Sequence, residues 1–445
     1  MKPSSAGLRR LIGMDTLDRL RAGALAGTTR LNLKCGLREF PREIFALADT
    51  LEILDLSGNQ LSSLPDDLPR LHKLRILFCS DNRFTELPAV LGQCAQLSMV
   101  GFKSNRIRQV PAAALPPELR WLILTDNEIA TLPSELGRCT QLQKLMLAGN
   151  RLRELPASLA ACTRLELLRI AANDLPDLPA WLLTLPRLSW LAYAGNPFCV
   201  EQEQHARTHD PIPAIPWSQL QLHDKLGEGA SGVIHRASWQ PGGEVAVKLF
   251  KGAVTSDGSP HSEMAACIHA GGHAGLIPLR GRVVGHPDQV DGLVLALVDA
   301  RFRNLAGPPS LASCTRDIYP EGTHFTLQRV LRIASRIAAT AEHLHARGLM
   351  HGDLYAHNML HDGAGEVLLG DFGAASFHVA GDAAAALQRI EVRAFACLLE
   401  ELLQRCTADA AELQALWALQ RRCAGEEVLQ RPTFADIGRQ LQAMR

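Results

Sequence analysis

The segment LMHGDLYAHNML, at 349–360, combines side chains that can move protons and bind cations. It contains His351, Asp353 and, five residues after the aspartate, Asn358. Carboxylates serve as proton acceptors in catalysis, and carboxylate and amide oxygens suit hard divalent cations. Such a set can do chemistry only where flanking elements bring a substrate to it. The sequence on either side therefore shows whether these residues form an active site.

A glycine-rich segment upstream is the first such element. Residues 217–250 alternate short β-type runs with glycine, which predicts strand, glycine loop and strand. Gly227, Gly229 and Gly232 form a GxGxxG motif. Glycines allow a backbone to approach phosphate groups without a Cβ clash. The motif alone is common, so it indicates nucleotide binding only together with other signals.

Lys248 is the second signal, because lysine is scarce in this chain, with 8 Lys against 38 Arg. It ends the run VAVK and is one of two lysines after position 226. The segment SEMAACIHA, at 262–270, predicts a helix carrying Glu263, fifteen residues after Lys248. This glutamate is the acidic residue best placed to hold the lysine in an ion pair; the alternative is a solvated charge on the helix.

Further elements lead to the opening segment and beyond it. Strands are predicted at 276–284 and 292–299, and a long helix at 327–348 that ends on glycine. The run EVLLGDFG, at 366–373, predicts a strand that continues into Asp371, Phe372 and Gly373.

Glycine loop, VAVK, HxDLxxxN and DFG occur here in the order and at the spacing of a protein kinase. Residues 217–445 therefore resemble a protein kinase domain, closest in texture to the tyrosine-kinase-like branch. The resemblance implies a bilobal α+β fold with an N-lobe at 217–299 and a C-lobe at 300–445. It also implies ATP and Mg²⁺.

The resemblance assigns a role to each motif residue. Asp353 would accept or orient the proton of the attacking hydroxyl, with Lys248 and Glu263 completing the catalytic set. Asn358 and Asp371 would hold Mg²⁺. The residues implied to bind the nucleotide are Leu226, Gly227, Gly229, Gly232, Ile234, Ala246, Lys248, Leu295 and Leu297. His351 would pack in a core column with Phe372 and Cys267.

The sequence also departs from the family pattern. Gly352 replaces an arginine that senses activation-segment phosphate in the family, and Tyr355 replaces a lysine that touches the γ-phosphate in many serine/threonine kinases. That lost charge either slows catalysis or is supplied elsewhere. Only 17 residues separate Gly373 from Glu391, which stands where aspartate is usual; no APE motif lies between them, and Ser376 is the only hydroxyl there.

Two alternatives to a protein kinase remain. The form HGDLxxxN also resembles aminoglycoside and choline-type kinases, which predicts a small-molecule kinase. A nucleotide-binding pseudokinase scaffold is the third possibility, although the full set of nucleotide and metal residues argues against it.

The first half of the chain repeats itself. LEILDLSGNQLSSLPDDLPRLHK (51–73) aligns with LRILFCSDNRFTELPAVLGQCAQ (74–96), and five further units follow at steps of 22 or 23 residues. Every unit has asparagine at its ninth position. Residues 28–200 resemble leucine-rich repeats, which implies an α/β solenoid whose leucines share one interior. Residues 1–27 are expected to form an N-terminal cap.

Positions 3 and 5 of each repeat point to the concave face, where a solvated surface would be polar. Here many are apolar, which predicts a docking surface for a partner protein; the alternative is that the second domain or the same surface of another copy covers it. The predicted contact residues are Ile53, Ile76, Phe78, Met99, Trp121, Ile123, Met146, Leu167 and Trp190.

Composition limits the remaining possibilities. Net charge is zero, which disfavours nucleic-acid binding, and no run of eighteen apolar residues predicts a membrane span. Charges interrupt the N-terminus before an apolar signal core, and the eleven cysteines form no CxxC pair. We expect a cytoplasmic protein, or one delivered from the cytoplasm without a cleaved signal peptide. Residues 201–216 are expected to form an extended linker.

Overall fold

The computed structural model describes residues 14–252, 254–378 and 381–444, which form two compact units. The first unit contains the chain up to Leu165 together with Asn173–Pro179. The second contains Glu166–Ala172 and the chain from Ala180 onward. In the predicted N-terminal cap, residues 14–21 form a helix, α1, whereas residues 1–13 lie outside the described part.

The first unit is built from short parallel strands, one in each repeat, that pair in chain order. They are β1 (Arg30–Asn32), β2 (Ile53–Asp55), β3 (Ile76–Phe78), β4 (Met99–Gly101), β5 (Trp121–Ile123) and β6 (Lys144–Met146). Short 3₁₀ turns such as Ala89–Gln93 follow the strands. The leucines at positions 1, 4 and 6 are buried, as Leu51, Leu54 and Leu56 show. No single repeat could bury them alone.

The repeat asparagines bridge neighbouring turns, as the sequence predicts. Oδ1 of Asn59 accepts hydrogen bonds from the backbone N–H groups of Cys35, Gly36 and Leu37 at 3.0–3.1 Å. Its Nδ2 donates to the carbonyl oxygens of Leu33 and Leu56. These bonds satisfy backbone groups that the loop leaves without strand partners.

The second unit begins with two repeat strands, β7 (Leu167–Arg169) and β8 (Trp190–Ala192), which pair in parallel. They are followed by a helix, α2 (Val200–His209), and a short strand, β9 (Ala214–Pro216). The extended conformation expected for 201–216 is therefore wrong over most of its length. Glutamate, glutamine, alanine and arginine favour a helix here, and the prolines begin only at Pro211.

A six-stranded sheet forms the smaller lobe of this unit, in the order β10-β11-β12-β14-β13-β9. Its further strands are β10 (Leu220–Glu228), β11 (Gly232–Trp239), β12 (Gly243–Phe250), β13 (Leu279–Val284) and β14 (Gly292–Ala296). One helix, α3 (Pro260–Ala270), follows β12, and the side chain of Ser259 caps its N-terminus by accepting the N–H of Ser262.

Helices dominate the larger lobe, with short strands that carry its loops. The helices are α4 (Leu327–Ala346), α5 (Asp382–Leu403), α6 (Ala410–Cys423) and α7 (Phe434–Ala443). The strands are β15 (Arg303–Asn304), β16 (Leu349–Met350), β17 (Met359–His361), β18 (Val367–Leu369) and β19 (Ser376–Phe377). Helix α5 begins nine residues before Glu391, so the segment after DFG is shorter still than the sequence predicts.

Candidate active site

The glycine motif lies on the hairpin of β10 and β11, over a cavity of about 210 Å³. Five of the predicted nucleotide-binding residues line this cavity: Gly229, Gly232, Ile234, Lys248 and Leu295. The other four do not line it, although they lie on the same strands or just after β14: Leu226, Gly227, Ala246 and Leu297. A Cβ at Gly232 would lie 2.6 Å from the carbonyl oxygen of Leu249, so only glycine fits there.

Lys248 and Glu263 form an ion pair inside the cavity, between strand β12 and helix α3. Both side chains are largely buried. Burial alone would lower the pKa of Lys248, but the charges of Glu263 and Asp371 outweigh it and raise that pKa. The lysine therefore remains protonated and can offer a positive charge to an anion in the cavity.

Asp353 and Asn358 lie together on the loop between β16 and β17. Nδ2 of Asn358 donates to the carboxylate of Asp353 at 2.7 Å and to its backbone carbonyl at 2.9 Å. The amide oxygen of Asn358 is thereby the atom left to bind a cation. Burial raises the pKa of Asp353, but the charge of Arg169 outweighs it and holds the pKa below its ordinary value.

Glu391, fully buried on helix α5, holds the loop between β16 and β17 through hydrogen bonds to its backbone. Its carboxylate accepts hydrogen bonds from the backbone N–H groups of His351, at 3.3 Å, and Gly352, at 2.7 Å. The ring of His345 also bonds it, at 2.7 Å. Gly352 has φ +71°, and a Cβ there would lie 2.5 Å from the carbonyl oxygen of Ala374. The glycine is therefore required by its backbone geometry.

Asp371 lines the far end of the cavity in a left-handed conformation, with φ +56°. The rings of His351 and Phe372 pack behind it with centroids 5.2 Å apart, and Nε2 of His351 lies 2.9 Å from the carbonyl oxygen of Gly370. His351 thus packs against Phe372 and contacts the backbone behind the loop; its predicted packing with Cys267 stays a prediction.

The oxygen donors fit magnesium that binds together with a nucleotide. Asn358 and Asp371 offer hard oxygens, and Mg²⁺ commonly takes one or two protein ligands and completes its shell with phosphates and water. Within residues 14–252, 254–378 and 381–444, no group of three or more His, Cys, Asp or Glu converges as a metal cage. The two donors suit a metal whose remaining ligands are phosphates and water.

Arg169, from repeat strand β7, reaches the same loop. Its side chain is buried and pairs through Nη2 with the carboxylate of Asp353. Nη1 donates to the carbonyl oxygen of Gly352 at 3.0 Å, and Nε donates to Asp257 at 2.7 Å. Asp257 itself lines the cavity.

Strand β8 covers the adjoining part of the loop. The rings of Trp190 and Tyr355 stack with centroids 4.2 Å apart, and Nε1 of Trp190 donates to the carbonyl oxygen of Leu354 at 3.3 Å. Trp190 belongs to the predicted docking surface, but its side chain packs against the loop at 349–360 of the same chain. For this residue, the second domain rather than a partner covers the concave face.

The short segment after Gly373 is tied to the same repeat. The hydroxyl of Ser376 is fully buried and accepts the N–H groups of Tyr193 and Ala194 at 3.0 and 3.1 Å. The guanidinium of Arg431 donates to three carbonyl oxygens, among them that of Pro186 at 2.7 Å. Repeat residues therefore contact both the shortened segment after Gly373 and Arg431.

Comparisons with known proteins agree with this geometry. The family model described as "Protein tyrosine and serine/threonine kinase" matches residues 220–393, and "Leucine Rich Repeat" matches residues 50–71. The chain combines a leucine-rich repeat with a protein kinase domain.

Curated kinases resemble this chain over about a third of its length. An "Activated Cdc42 kinase-like" protein of Drosophila melanogaster is 28% identical over 163 residues, covering 36% of this chain and 11% of that protein. "Putative cyclin-dependent kinase F-2" of Oryza sativa subsp. japonica is 31% identical over 159 residues, covering 35% and 47%. "Serine/threonine-protein kinase A-Raf" of Mus musculus is 27% identical over 172 residues, covering 36% and 24%. The chain thus spans less than half the length of each.

Among solved structures, a leucine-rich repeat protein of Leptospira interrogans is similar, with 26% identity and a TM-score of 0.33. The match covers 39% of this chain and 50% of that one.

Motif inspection did not single out two residues that lie at this site, Arg169 and Asp257. Arg169 was visible only as one member of the concave face, and Asp257 lies in an irregular segment between β12 and α3. A signal for Arg169 existed: it is the only arginine at positions 3 and 5 of the seven units that begin at Leu51. Its target, 184 residues away, could not be found from the sequence.

The predicted docking residues differ in exposure. Ile53, Phe78, Trp121, Ile123 and Met146 are partly exposed, whereas Ile76, Met99, Leu167 and Trp190 are buried. In the first unit, Lys144 lies over the ring of Trp121, 4.4 Å from its centroid. Nε1 of Trp121 also approaches the sulfur of Met146 at 3.4 Å.

None of the helices in the described residues is both long enough and apolar enough to span a bilayer.

Proposed function

We propose that this protein is an ATP- and Mg²⁺-dependent kinase that transfers phosphate to protein hydroxyls, with serine or threonine as the acceptor. The observation that carries the proposal is the cavity beneath the glycine hairpin. The Lys248–Glu263 pair and Asp371 line this cavity. A protonated lysine in such a cavity suits a nucleotide's phosphates.

The chemistry follows from the residues that would surround the reacting groups. The acceptor hydroxyl attacks the γ-phosphorus of ATP, the bond from γ-phosphorus to the bridging oxygen breaks, and ADP leaves with the electron pair. Asp353 takes up or orients the hydroxyl proton. Lys248 holds the α- and β-phosphates, and Glu263 holds Lys248. Magnesium, bound by Asn358 and Asp371, would neutralise charge on the phosphates.

The repeats supply a protein-docking surface in this proposal. Five predicted contact residues of the first unit are partly exposed, namely Ile53, Phe78, Trp121, Ile123 and Met146. Because the segment after Gly373 is short, little surface next to the site can grip a peptide. Docking on the repeats would raise the local concentration of a substrate instead.

We also propose a cytoplasmic location. Nine of the eleven cysteines are buried, and none belongs to a CxxC pair, as suits a reducing compartment. The cytoplasm also supplies the ATP and Mg²⁺ that the proposed transfer requires.

The test is nucleotide binding followed by product analysis on the full-length chain. Calorimetry should detect ATP binding that requires Mg²⁺, and γ-labelled ATP should label phosphoserine or phosphothreonine in a protein acceptor. Failure to bind Mg·ATP would favour the pseudokinase scaffold. Transfer to small aminoalcohols but to no protein would favour the small-molecule kinase, and labelled tyrosine would change the acceptor assigned here.

A further inference from the structure

The catalytic loop at 349–360 contains neither lysine nor arginine. Tyr355 fills the position where the family resemblance places a phosphate-binding lysine. Its ring is buried beneath Trp190, and its hydroxyl has no hydrogen-bond partner among the residues that the structure describes. The loop by itself therefore brings no permanent positive charge to Asp353.

Arg169 brings that charge from repeat strand β7. Its side chain is 2% exposed, and its guanidinium contacts Asp353, the carbonyl oxygen of Gly352 and Asp257 at once. Asn358 holds one carboxylate oxygen of Asp353 while Arg169 holds the other. The carboxylate is thus fixed in orientation from two sides, as a proton acceptor in a positioned reaction must be.

The carboxylates around this arginine offset the cost of burying its charge. Glu263, Asp257, Asp353 and Asp371 are four carboxylates around the cavity and the loop, and Lys248 and Arg169 are the permanently charged cations that pair with them in the described residues. A buried charge needs good partners to offset its desolvation.

A purely structural role would be to let repeat strands pack against the loop. An apolar or small side chain serves packing at the equivalent positions of other repeats, such as Phe78, Gly101, Ile123 and Ala192. Arginine differs from these in presenting a planar fork that binds carboxylates and phosphates in fixed geometry.

We infer that Arg169, supplied by the repeats, replaces the cationic side chain that the catalytic loop lacks, positioning Asp353 and adding positive charge beside the transferring phosphoryl group. The inference rests on the proposed kinase activity. During transfer the hydroxyl oxygen bonds to γ-phosphorus, the bridging oxygen leaves with ADP, and the proton passes to the Asp353 carboxylate that Arg169 holds. The repeat strand is then part of the enzyme's active site.

The test compares full-length wild type with Arg169→Lys, Arg169→Gln and Arg169→Met. The exposed Arg153, on another repeat, provides the matched control Arg153→Met. For each variant, kcat and KM for ATP are measured in the presence of Mg²⁺, once with water and once with dephosphorylated casein as the phosphate acceptor. The melting temperature of each variant is measured as well. Arg169→Met and Arg169→Gln should lower kcat about a hundredfold or more, as removal of a preorganised charge does, with a much smaller change in KM.

The conservative variant separates charge from packing. Arg169→Lys should recover at least part of the lost kcat, and Arg153→Met should match wild type. Folded Arg169→Gln or Arg169→Met that is as fast as wild type, or faster, would overturn the inference, and so would a folded Arg169→Lys as slow as Arg169→Met. Absence of Mg·ATP binding in wild type would instead reject the proposed kinase activity, on which the inference rests.

Discussion

The indole ring of Trp190 lies parallel to the phenol ring of Tyr355, with the two planes 6° apart. One ring belongs to a repeat strand and the other to the catalytic loop, and both side chains are buried. Tyr355, which stands where many kinases have a lysine, is therefore held in place by a residue of the repeats.

Replacing Trp190 by alanine should remove this stack and leave a cavity. We expect a loss of about 3 kcal/mol or more in the free energy of unfolding, as for other buried Trp-to-Ala changes. Denaturant unfolding measures the loss, and hydrogen exchange should show faster exchange of the amides at 349–360. Tyr355→Phe is the matched variant: it keeps the ring and removes a hydroxyl that has no hydrogen-bond partner in the described part of the chain, so stability should stay the same or rise. A large loss in Tyr355→Phe would contradict this account.

Lys248→Met should abolish transfer from ATP, because it removes the buried cation of the cavity and leaves Glu263 without its ion pair. Asp353→Ala should be inactive as well, while retaining nucleotide binding. Steady-state rates and calorimetry on the full-length chain measure both effects. Lys251→Met is the matched control, since Lys251 lies three residues further on and pairs with Glu228 on the surface. Comparable losses in Lys251→Met and Lys248→Met would count against the assigned role.

Activity should not depend on phosphorylation after the DFG motif. The only hydroxyl there, on Ser376, is fully buried and accepts two backbone N–H groups. Phosphatase treatment should therefore leave the rate unchanged. Ser376→Ala should cost about 1–3 kcal/mol in stability, because two buried donors lose their acceptor. A rate that falls after phosphatase treatment of wild type, and not in Ser376→Ala, would show regulation at this serine.

Trp121 should anchor a protein partner on the repeats. The side chain is partly exposed, is backed by Lys144 and Met146, and has the amphipathic character of interface hot spots. Trp121→Ala should weaken a partner's affinity by about 2 kcal/mol. Crosslinking with full-length protein, compared with Trp181→Ala on a 3₁₀ turn as control, measures the change. Recovery of the same partners in the same yield by both variants would argue against docking at Trp121.

Stability should fall as pH rises from about 4.5 to 7 through a buried glutamate in the larger lobe. Burial raises the pKa of Glu401 to about 7, and the neighbouring charge of Asp317 acts in the same direction. The folded state therefore holds this proton more tightly than the unfolded chain, so the stabilisation is complete at low pH and is lost as pH passes the folded pKa.

Glu401→Gln tests that assignment. The N–H of Asp317 and the hydroxyl of Tyr319 lie 3.3 and 3.2 Å from different oxygens of the carboxylate. In the amide, the oxygen can still accept from Asp317, and the NH₂ group can donate to the hydroxyl oxygen of Tyr319. The variant should lack this component of the pH dependence, which for the stated shift amounts to about 3 kcal/mol between pH 4.5 and 8. Melting temperatures at several pH values provide the measurement, and an unchanged slope in Glu401→Gln would assign the effect to other groups.

Local patterns account for most of the elements. The 23-residue period predicted the repeats, because each repeat must place its leucines in a shared interior. The order of glycine loop, VAVK, HGDLYAHN and DFG placed Lys248, Glu263 and Asp371 on elements that the structure brings to one cavity. Helix boundaries were less predictable: the alanine run before Glu391 extends α5 toward Gly381, and α2 lacks the apolar period that marks a helix.

The sequence by itself determined which residues can do chemistry and which face of each repeat strand they occupy. Motif spacing and strand alternation are properties of neighbouring residues, so they are readable from the chain. Only the tertiary structure decided that Arg169 and Trp190 face the catalytic loop, across more than 160 residues of chain. Alternation shows that a side chain leaves its strand on one side, but what it meets there depends on long-range packing, which no local pattern encodes.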